Sequence, residues 1–417
     1  MAKAAGFSRT LWVLGALIAG IGIGAWLAAS GSAALASVSA VADPVGGVWL
    51  DALRMTIVPL VFAMLFTGIA SAAGTARGGG IAAWALALFV VLIVASAAFS
   101  LIVSPALFSL WPVPADAARA LTASAGTPAN TALPTIGAWL RSFVPVNPVA
   151  SAAQTDMVPL VVFALTFGLA ATRIPAAAAA QLTGFFDAVV QAMLVIVGWV
   201  IAAAPVGVFA LSLLVGAKLG VGAFGLLVQY IALLVSVQVL LILTIYPLAV
   251  IGGGVRLGAF IRAVAPAQLV ALSTQSSLAS LPAMVEGGAL LELPERFPRL
   301  VLPLAVSLFR FTSPTANLAV VVYVAALHGV HIGLAQALVG IAVAVAVSVA
   351  SVGLPGQTSF FLAVGPICIA MGVPIDLLPL LLAVETIPDI FRTLGNVTAD
   401  VAVAAVVARR SLDRSDE

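Results

Sequence analysis

ETIPDIFRTLGNVTAD, residues 385–400, lies between the runs LLPLLLAV and VAVAAVV. Glu385, Asp389, Arg392, Asn396 and Asp400 are spaced 4, 3, 4 and 4. At about 100° per residue they fall on one helical stripe about 80° wide, with Val, Ala, Ile and Leu on the rest of the surface. Each charge at a bilayer centre costs about 2.5–3.5 kcal/mol, so these groups must pair with one another or face a polar cavity. A purely structural ladder, Asp389 to Arg392 at i,i+3, is a poor stabiliser compared with apolar packing, because desolvation offsets most of the attraction. The stripe is therefore read as meeting a solute. A planar Arg392 suits a carboxylate by bidentate contact, and Asp389 one turn away suits an ammonium. Pro388 is expected to remove a backbone hydrogen bond and leave a carbonyl available.

Outside this stretch, the 417 residues are 63% hydrophobic and only 8% charged, against roughly a quarter charged in soluble domains. Apolar runs of spanning length, about 20 residues, recur near 11–29, 46–74, 81–111, 156–173, 182–216, 220–251, 300–327 and 376–408. The class is an all-α polytopic membrane protein with eight transmembrane helices. The short alternating segments of a β-barrel are lacking. A net charge of +2 gives no basic face for nucleic acid, and the single Cys368 excludes an intrachain disulfide. Lys3 and Arg9 precede an apolar stretch of nearly spanning length, which favours a retained first helix over a cleaved signal. With the N-terminus in the cytoplasm, Arg77, Arg173, Arg256, Arg262, Arg299, Arg409 and Arg410 share one side. The other side receives chiefly Arg119, Arg141 and Lys218. That bias puts both termini inside.

Residues 260–291 and 334–373 each carry two apolar halves around a polar island, Ser273 to Ser280 in the first and SVGLPGQTS in the second. Both halves are read as too short to span, and the segments as re-entrant hairpins, because a single bent crossing breaks the charge alternation. The expected order is helices 1–2 in 1–74 and helices 3–4 in 75–173, with an external loop at 112–155. Helices 5–6 follow in 174–254, then a first hairpin in 255–299 and helix 7 in 300–330. A second hairpin in 331–375 precedes helix 8 and a tail in 376–417. Two interrupted units in matching positions point to the midplane site of a secondary transporter. A Ser-rich tip ahead of a short helix presents free backbone N–H groups and a positive dipole end, which suit a second carboxylate.

These residues resemble the glutamate/aspartate transporters, the dicarboxylate/amino acid:cation symporters, along nearly the whole chain. MTIVPLVFAMLFTGIAS looks like the family's second helix and APVGVFAL like its fifth. LSTQSSLASLP and VGLPGQ resemble its two hairpin tips, and DIFRTLGNVTAD its eighth helix. The resemblance implies an inverted-repeat fold and a homotrimer with elevator-like motion. It implies a symporter of acidic amino acids such as aspartate or glutamate, in membrane lipid of the bacterial inner membrane type, and not an enzyme. It places the amino group on Asp389, the side-chain carboxylate on Arg392 with Thr393 and Asn396 assisting, and the α-carboxylate on Ser277. Ser276 and Ser313 complete that set, with a gate over Leu354, Pro355, Gly356 and Thr358. A C4-dicarboxylate carrier, and a channel or receptor that keeps the pocket without transport, are the alternatives. Asp389 favours an amino acid over succinate or malate. An aspartyl protease is set aside, because Asp389 and Asp400 lie about 16 Å apart on one helix.

The family's seventh helix carries Asn-Met-Asp-Gly-Thr, which builds sodium sites. The matching positions here are Phe309, Arg310, Phe311, Thr312 and Ser313. Apolar side chains give a hard cation no ligand, and ALALFVVLIVASAAF lacks the Tyr and Thr expected near one sodium. Asn396 and Asp400 keep part of one site. Arg310 is read either as a tethered cation near Asp400 or Asp389, with proton coupling through Glu385 or Asp389 as the substitute, or as a side chain that snorkels or pairs structurally; Na+ or H+ is the coupling ion and no cofactor is expected. Asn317 stands where many members have a protonatable Glu, and Gln275 at the first tip. His328 and His331 lack a third metal ligand. Glu292, Glu295, Arg296 and Arg299 read as a solvated connector, and Asp51 with Arg54 as a pair across a turn.

Overall fold

Backbone amides and carbonyls find no water in hydrocarbon, so runs this apolar satisfy them internally as helix. The structure, a computed structural model, describes residues 2–76, 80–112, 141, 143–220, 222–350 and 356–413; among them there are helices and no strand. Eight segments are long and apolar enough to cross a bilayer, so the chain is an all-α, multi-pass integral membrane protein. In chain order the described helices are α1 (Ala2–Ala29), α2 (Ala34–Ala76), α3 (Gly80–Leu110), a short α4 (Pro148–Ala153), α5 (Met157–Ala171), α6 (Ala176–Ala202) and α7 (Ala204–Leu219). α8 (Gly222–Pro247) runs into a π turn at Leu248–Gly252, followed by α9 (Leu257–Thr274), α10 (Ser277–Leu290), α11 (Arg296–Leu308) and α12 (Thr312–Leu327). α13 (Leu334–Ala350), α14 (Gly356–Met371), α15 (Leu378–Leu382) and α16 (Thr386–Asp413) complete the chain.

Several boundaries differ from the apolar runs. The run at 182–216 is two helices, α6 and α7, because Pro205 belongs in a first turn, where its missing N–H costs nothing. The 156–173 run gives only the 15 residues of α5. In the first polar-island segment α9 has 18 residues and reaches spanning length, which corrects the reading of two short halves; only α10, with 14, falls short. The last run is helical in two pieces, and Glu385 precedes α16. The seventh run breaks over Phe309–Phe311.

The outer helices lie close. Gly24 of α1 and Gly216 of α7 face backbone of the opposite helix, where a Cβ would strike the Leu213 and Ile21 carbonyls. Small residues at such a contact let two backbones approach in lipid. α2 packs on α5, α6 and α7, and its Trp49 Nε1 donates to the Val200 carbonyl at 2.8 Å. The inner set centres on α16, against which α8, α9, α10 and α11 pack.

Most of the buried apolar residues fall in two hydrophobic cores. One takes Ala97 and Phe108 of α3, Leu226 to Val237 of α8, Leu318 to Leu327 of α12 and the chain up to Val384. The other takes Ala85, Phe89 and Ile93 of α3, Leu241 to Ile245 of α8, α11, and Val397 to Ala408 of α16. Between them each helix carries its buried polar residues: Ser96 and Ser100, Gln238, Thr312 to Asn317, and Glu385 to Asn396. The site lies in this polar layer.

Candidate functional site

The stripe begins at the turn that joins α15 to α16. The Glu385 carbonyl accepts the Asp389 amide at 2.9 Å, so Glu385 caps the helix. Pro388 falls in the first turn, where a backbone N–H has no intrahelical partner. The expected lost hydrogen bond is therefore not lost, and α16 starts there without a kink.

The charges meet one another. Arg392 Nη2 donates to Glu385 Oε1 at 2.5 Å, and Nη1 reaches Asp389 Oδ1 at 3.4 Å. Glu385 Oε2 accepts the Tyr230 hydroxyl of α8 at 3.0 Å. All four side chains are buried. The set is not closed: Arg392 Nε and both Asp400 carboxylate oxygens are buried with no hydrogen-bond partner among the described residues.

The α11–α12 break brings the second polar element. Asn396 Oδ1 accepts the Thr312 amide at 2.9 Å and its hydroxyl at 2.8 Å, so a side chain of α16 caps α12. The same hydroxyl reaches the Arg392 carbonyl at 2.7 Å. Partly buried Arg310 sits in the break, with Nε 3.4 Å from Ser313 Oγ, and lies within electrostatic reach of Asp389, Arg392 and Asp400. The Thr393 hydroxyl returns to the Asp389 carbonyl at 3.0 Å. α12 is tied to α3 by Thr315 Oγ1 on the Ser96 carbonyl at 2.6 Å and Ser100 Oγ on the Thr315 carbonyl at 2.8 Å.

At the α9–α10 junction Gln275 takes a left-handed turn (φ 51°) and Ser276 Oγ accepts the Ala279 amide at 3.3 Å, so Ser277 opens α10. α9 holds α16 through Gln268 Nε2 on Thr398 Oγ1 at 2.9 Å. Leu354 and Pro355 lie outside the described residues; Gly356 opens α14, and Thr358 stands in its first turn.

The structure thus brings together Glu385, Asp389, Arg392, Thr393, Asn396, Thr312, Ser313 and Arg310. Sequence reasoning missed Tyr230 and the Ser96–Ser100–Thr315 seam. The cue for Tyr230 was one of only three tyrosines standing beside Gln229 in an apolar run. Elsewhere, Asp51 pairs with Arg54 at 3.3 Å and Glu295 with Arg299 at 2.5 Å, both exposed. His328 is spent on the Val324 carbonyl at 2.9 Å and on Asp376 at 3.3 Å.

A guanidinium with one free edge, a carboxylate beside it and capped helix ends can hold a small zwitterion that carries an extra acid group. The profile of the Sodium:dicarboxylate symporter family matches residues 10–410. The chain is 25% identical to the proton/glutamate-aspartate symporter of Escherichia coli strain K12, over 97% of this chain and 93% of that protein. It is 23% identical to the proton/sodium-glutamate symport protein of Bacillus subtilis strain 168, over 88% and 85%. To the C4-dicarboxylate transport protein of Rhizobium leguminosarum it is 22% identical, over 88% and 82%.

Proposed function

The chain belongs to the Sodium:dicarboxylate symporter family, whose members are transporters and not enzymes, and from that premise we propose that it carries acidic amino acids such as aspartate or glutamate, with little or no dependence on sodium. The observation that carries the reading is the buried Arg392, with Asp389 one turn away, in the polar layer between the two cores. Arg392 takes the distal carboxylate and Asp389 the ammonium. The N-terminal end of α10, at Ser276 and Ser277, takes the α-carboxylate. Thr393, Asn396 and Ser313 stand beside them in the same buried polar layer.

Sodium is the weak part of the donor set. Phe309 and Phe311 flank the α11–α12 break, and Arg310 puts a positive charge within reach of Asp400. A fixed guanidinium there repels a second cation and stays behind in each cycle. The finer architecture belongs to the same reading: α9–α10 and α13–α14 as re-entrant hairpins, elevator-like alternating access, a homotrimer, and both termini in the cytoplasm of a bacterial inner membrane.

The test is aspartate counterflow in proteoliposomes, with sodium replaced by choline, across imposed pH gradients. Counterflow that persists in choline supports the reading. Full dependence on sodium removes the role given to Arg310, and binding without counterflow turns the carrier into a receptor. Succinate preferred over aspartate makes it a C4-dicarboxylate carrier, with Asp389 idle.

A further inference from the structure

We propose that Glu385 carries the coupling proton, taken up when the substrate's distal carboxylate claims Arg392 and released when it leaves. The inference rests on the acidic-substrate reading and adds the ion and its seat.

Glu385 has no exposed surface. Its carboxylate has two protein partners, Arg392 Nη2 on Oε1 and the Tyr230 hydroxyl on Oε2. Arg392 and Asp389 on α16 and Tyr230 on α8 are the ionisable groups that act on it, and Arg310 in the α11–α12 break acts in turn on Arg392. Tyr323 of α12 stacks near Tyr230, with ring centroids 5.3 Å apart, but its own hydroxyl is committed to the Leu226 carbonyl at 2.8 Å.

One guanidinium therefore already serves two carboxylates. An acidic amino acid brings an ammonium, which answers Asp389, and a distal carboxylate, which is drawn to Arg392. The unpartnered Nε of Arg392 gives that carboxylate an edge on which to dock. Glu385 and the newcomer then share a single positive charge in a dry site, where two neighbouring carboxylates do not both stay ionised. The proton settles on Glu385, because it alone keeps a partner in either state. A phenol donates to an ionised carboxylate and can also accept from a protonated one. The substrate carboxylate needs its full charge to hold Arg392. The proton enters from water together with the substrate and departs with it, so no other reactant is needed.

The experiment is titration of the purified full-length protein with L-aspartate in weak buffer containing a pH indicator, at several pH values. The expected result is uptake of close to one proton per aspartate bound, with Kd weakening toward tenfold per pH unit on the alkaline side. In Glu385→Gln, which keeps an amide for Tyr230 but cannot take up or release a proton, uptake disappears and the Kd profile flattens. The unmodified protein decides the matter even if that variant does not fold: aspartate bound with no proton taken up and no pH slope overturns the proposal and leaves the carrier reading standing. A Glu385→Gln protein that still takes up a proton overturns it as well. Absence of aspartate binding at every pH overturns both.

Discussion

The two ends of one buried face of α16 solve the same electrostatic problem in different ways. At the upstream end, Glu385, Asp389 and Arg392 come from a single stretch of chain and satisfy one another within 2.5 and 3.4 Å. At the downstream end, Asp400 has no hydrogen bond to either oxygen among the described residues, and the cation that acts on it, Arg310, comes from the α11–α12 break. A group of charges set by one helix can change partners without moving any helix. A charge answered from another helix ties the two helices together. The comparison separates an exchangeable end, suited to cargo, from a fixed end, suited to holding the break of α11–α12 against α16.

Arg392→Ala breaks the upstream end and carries the largest effect. It leaves two buried carboxylates without their cation, a loss of about 3–5 kcal/mol in stability. Aspartate binding should fall by at least about a hundredfold, the effect of losing a buried charged contact, and a neutral analogue should lose much less. Isothermal titration of both ligands checks this, and equal losses erase the distinction between the two ends.

Arg310→Met tests the downstream end. Asp400 then stands alone, stability falls, and aspartate uptake gains a dependence on sodium. Adding Asp400→Asn restores much of the stability, with a coupling of about 1–3 kcal/mol in a double-mutant cycle followed by unfolding. Additive losses would mean that no tie exists. Thr312→Val touches neither charge set but removes the hydroxyl that Asn396 and the Arg392 carbonyl share. A loss of about 1–2 kcal/mol in unfolding measurements is expected, without any gain of sodium dependence.

The smallest effect lies outside the membrane layer. Burial works against charge on His328, but the Asp376 hydrogen bond, the Val324 carbonyl and the Asp376 charge outweigh it and raise its pKa from 6.5. Burial also opposes charge on half-exposed Asp376, and its hydrogen bond and pairing with His328 lower its pKa from 3.8. The histidine's contribution is whole below pH 6.5 and fades as pH rises through its raised value; that of the aspartate fades only as pH falls through its lowered one. His328→Gln should therefore lower the melting temperature most at mildly acid pH, by less than about 1 kcal/mol equivalent, and hardly at all in alkali. A difference that grows with pH contradicts the pairing.

Much of this was legible in the residues. The 4, 3, 4, 4 spacing gave one face, and Arg392 does meet both carboxylates that the spacing put beside it. The apolar runs gave the all-α membrane class, because length and composition alone decide it. What stayed hidden was set from a distance. Nothing in LFRFTS announces a break; it exists where Asn396, 84 residues away, caps Thr312. Tyr230 pairs with Glu385 across 155 residues, a contact no local pattern encodes. The division at Ala203 was signalled by Pro205, but the apolarity of the run on both sides masked it.

Three buried carboxylates, Glu385, Asp389 and Asp400, stand against the guanidiniums of Arg310 and Arg392. On the proposed mechanism, an acidic amino acid adds one negative charge and the proton on Glu385 cancels it, so the set has the same charge full as empty. Membrane voltage is worth about 2.3 kcal/mol per charge per 100 mV, and because the set carries the same charge on the loaded and the empty step, the two contributions cancel over a cycle. Such a carrier passes no current through a solid-supported membrane electrode, and its gradient is set by acidity alone.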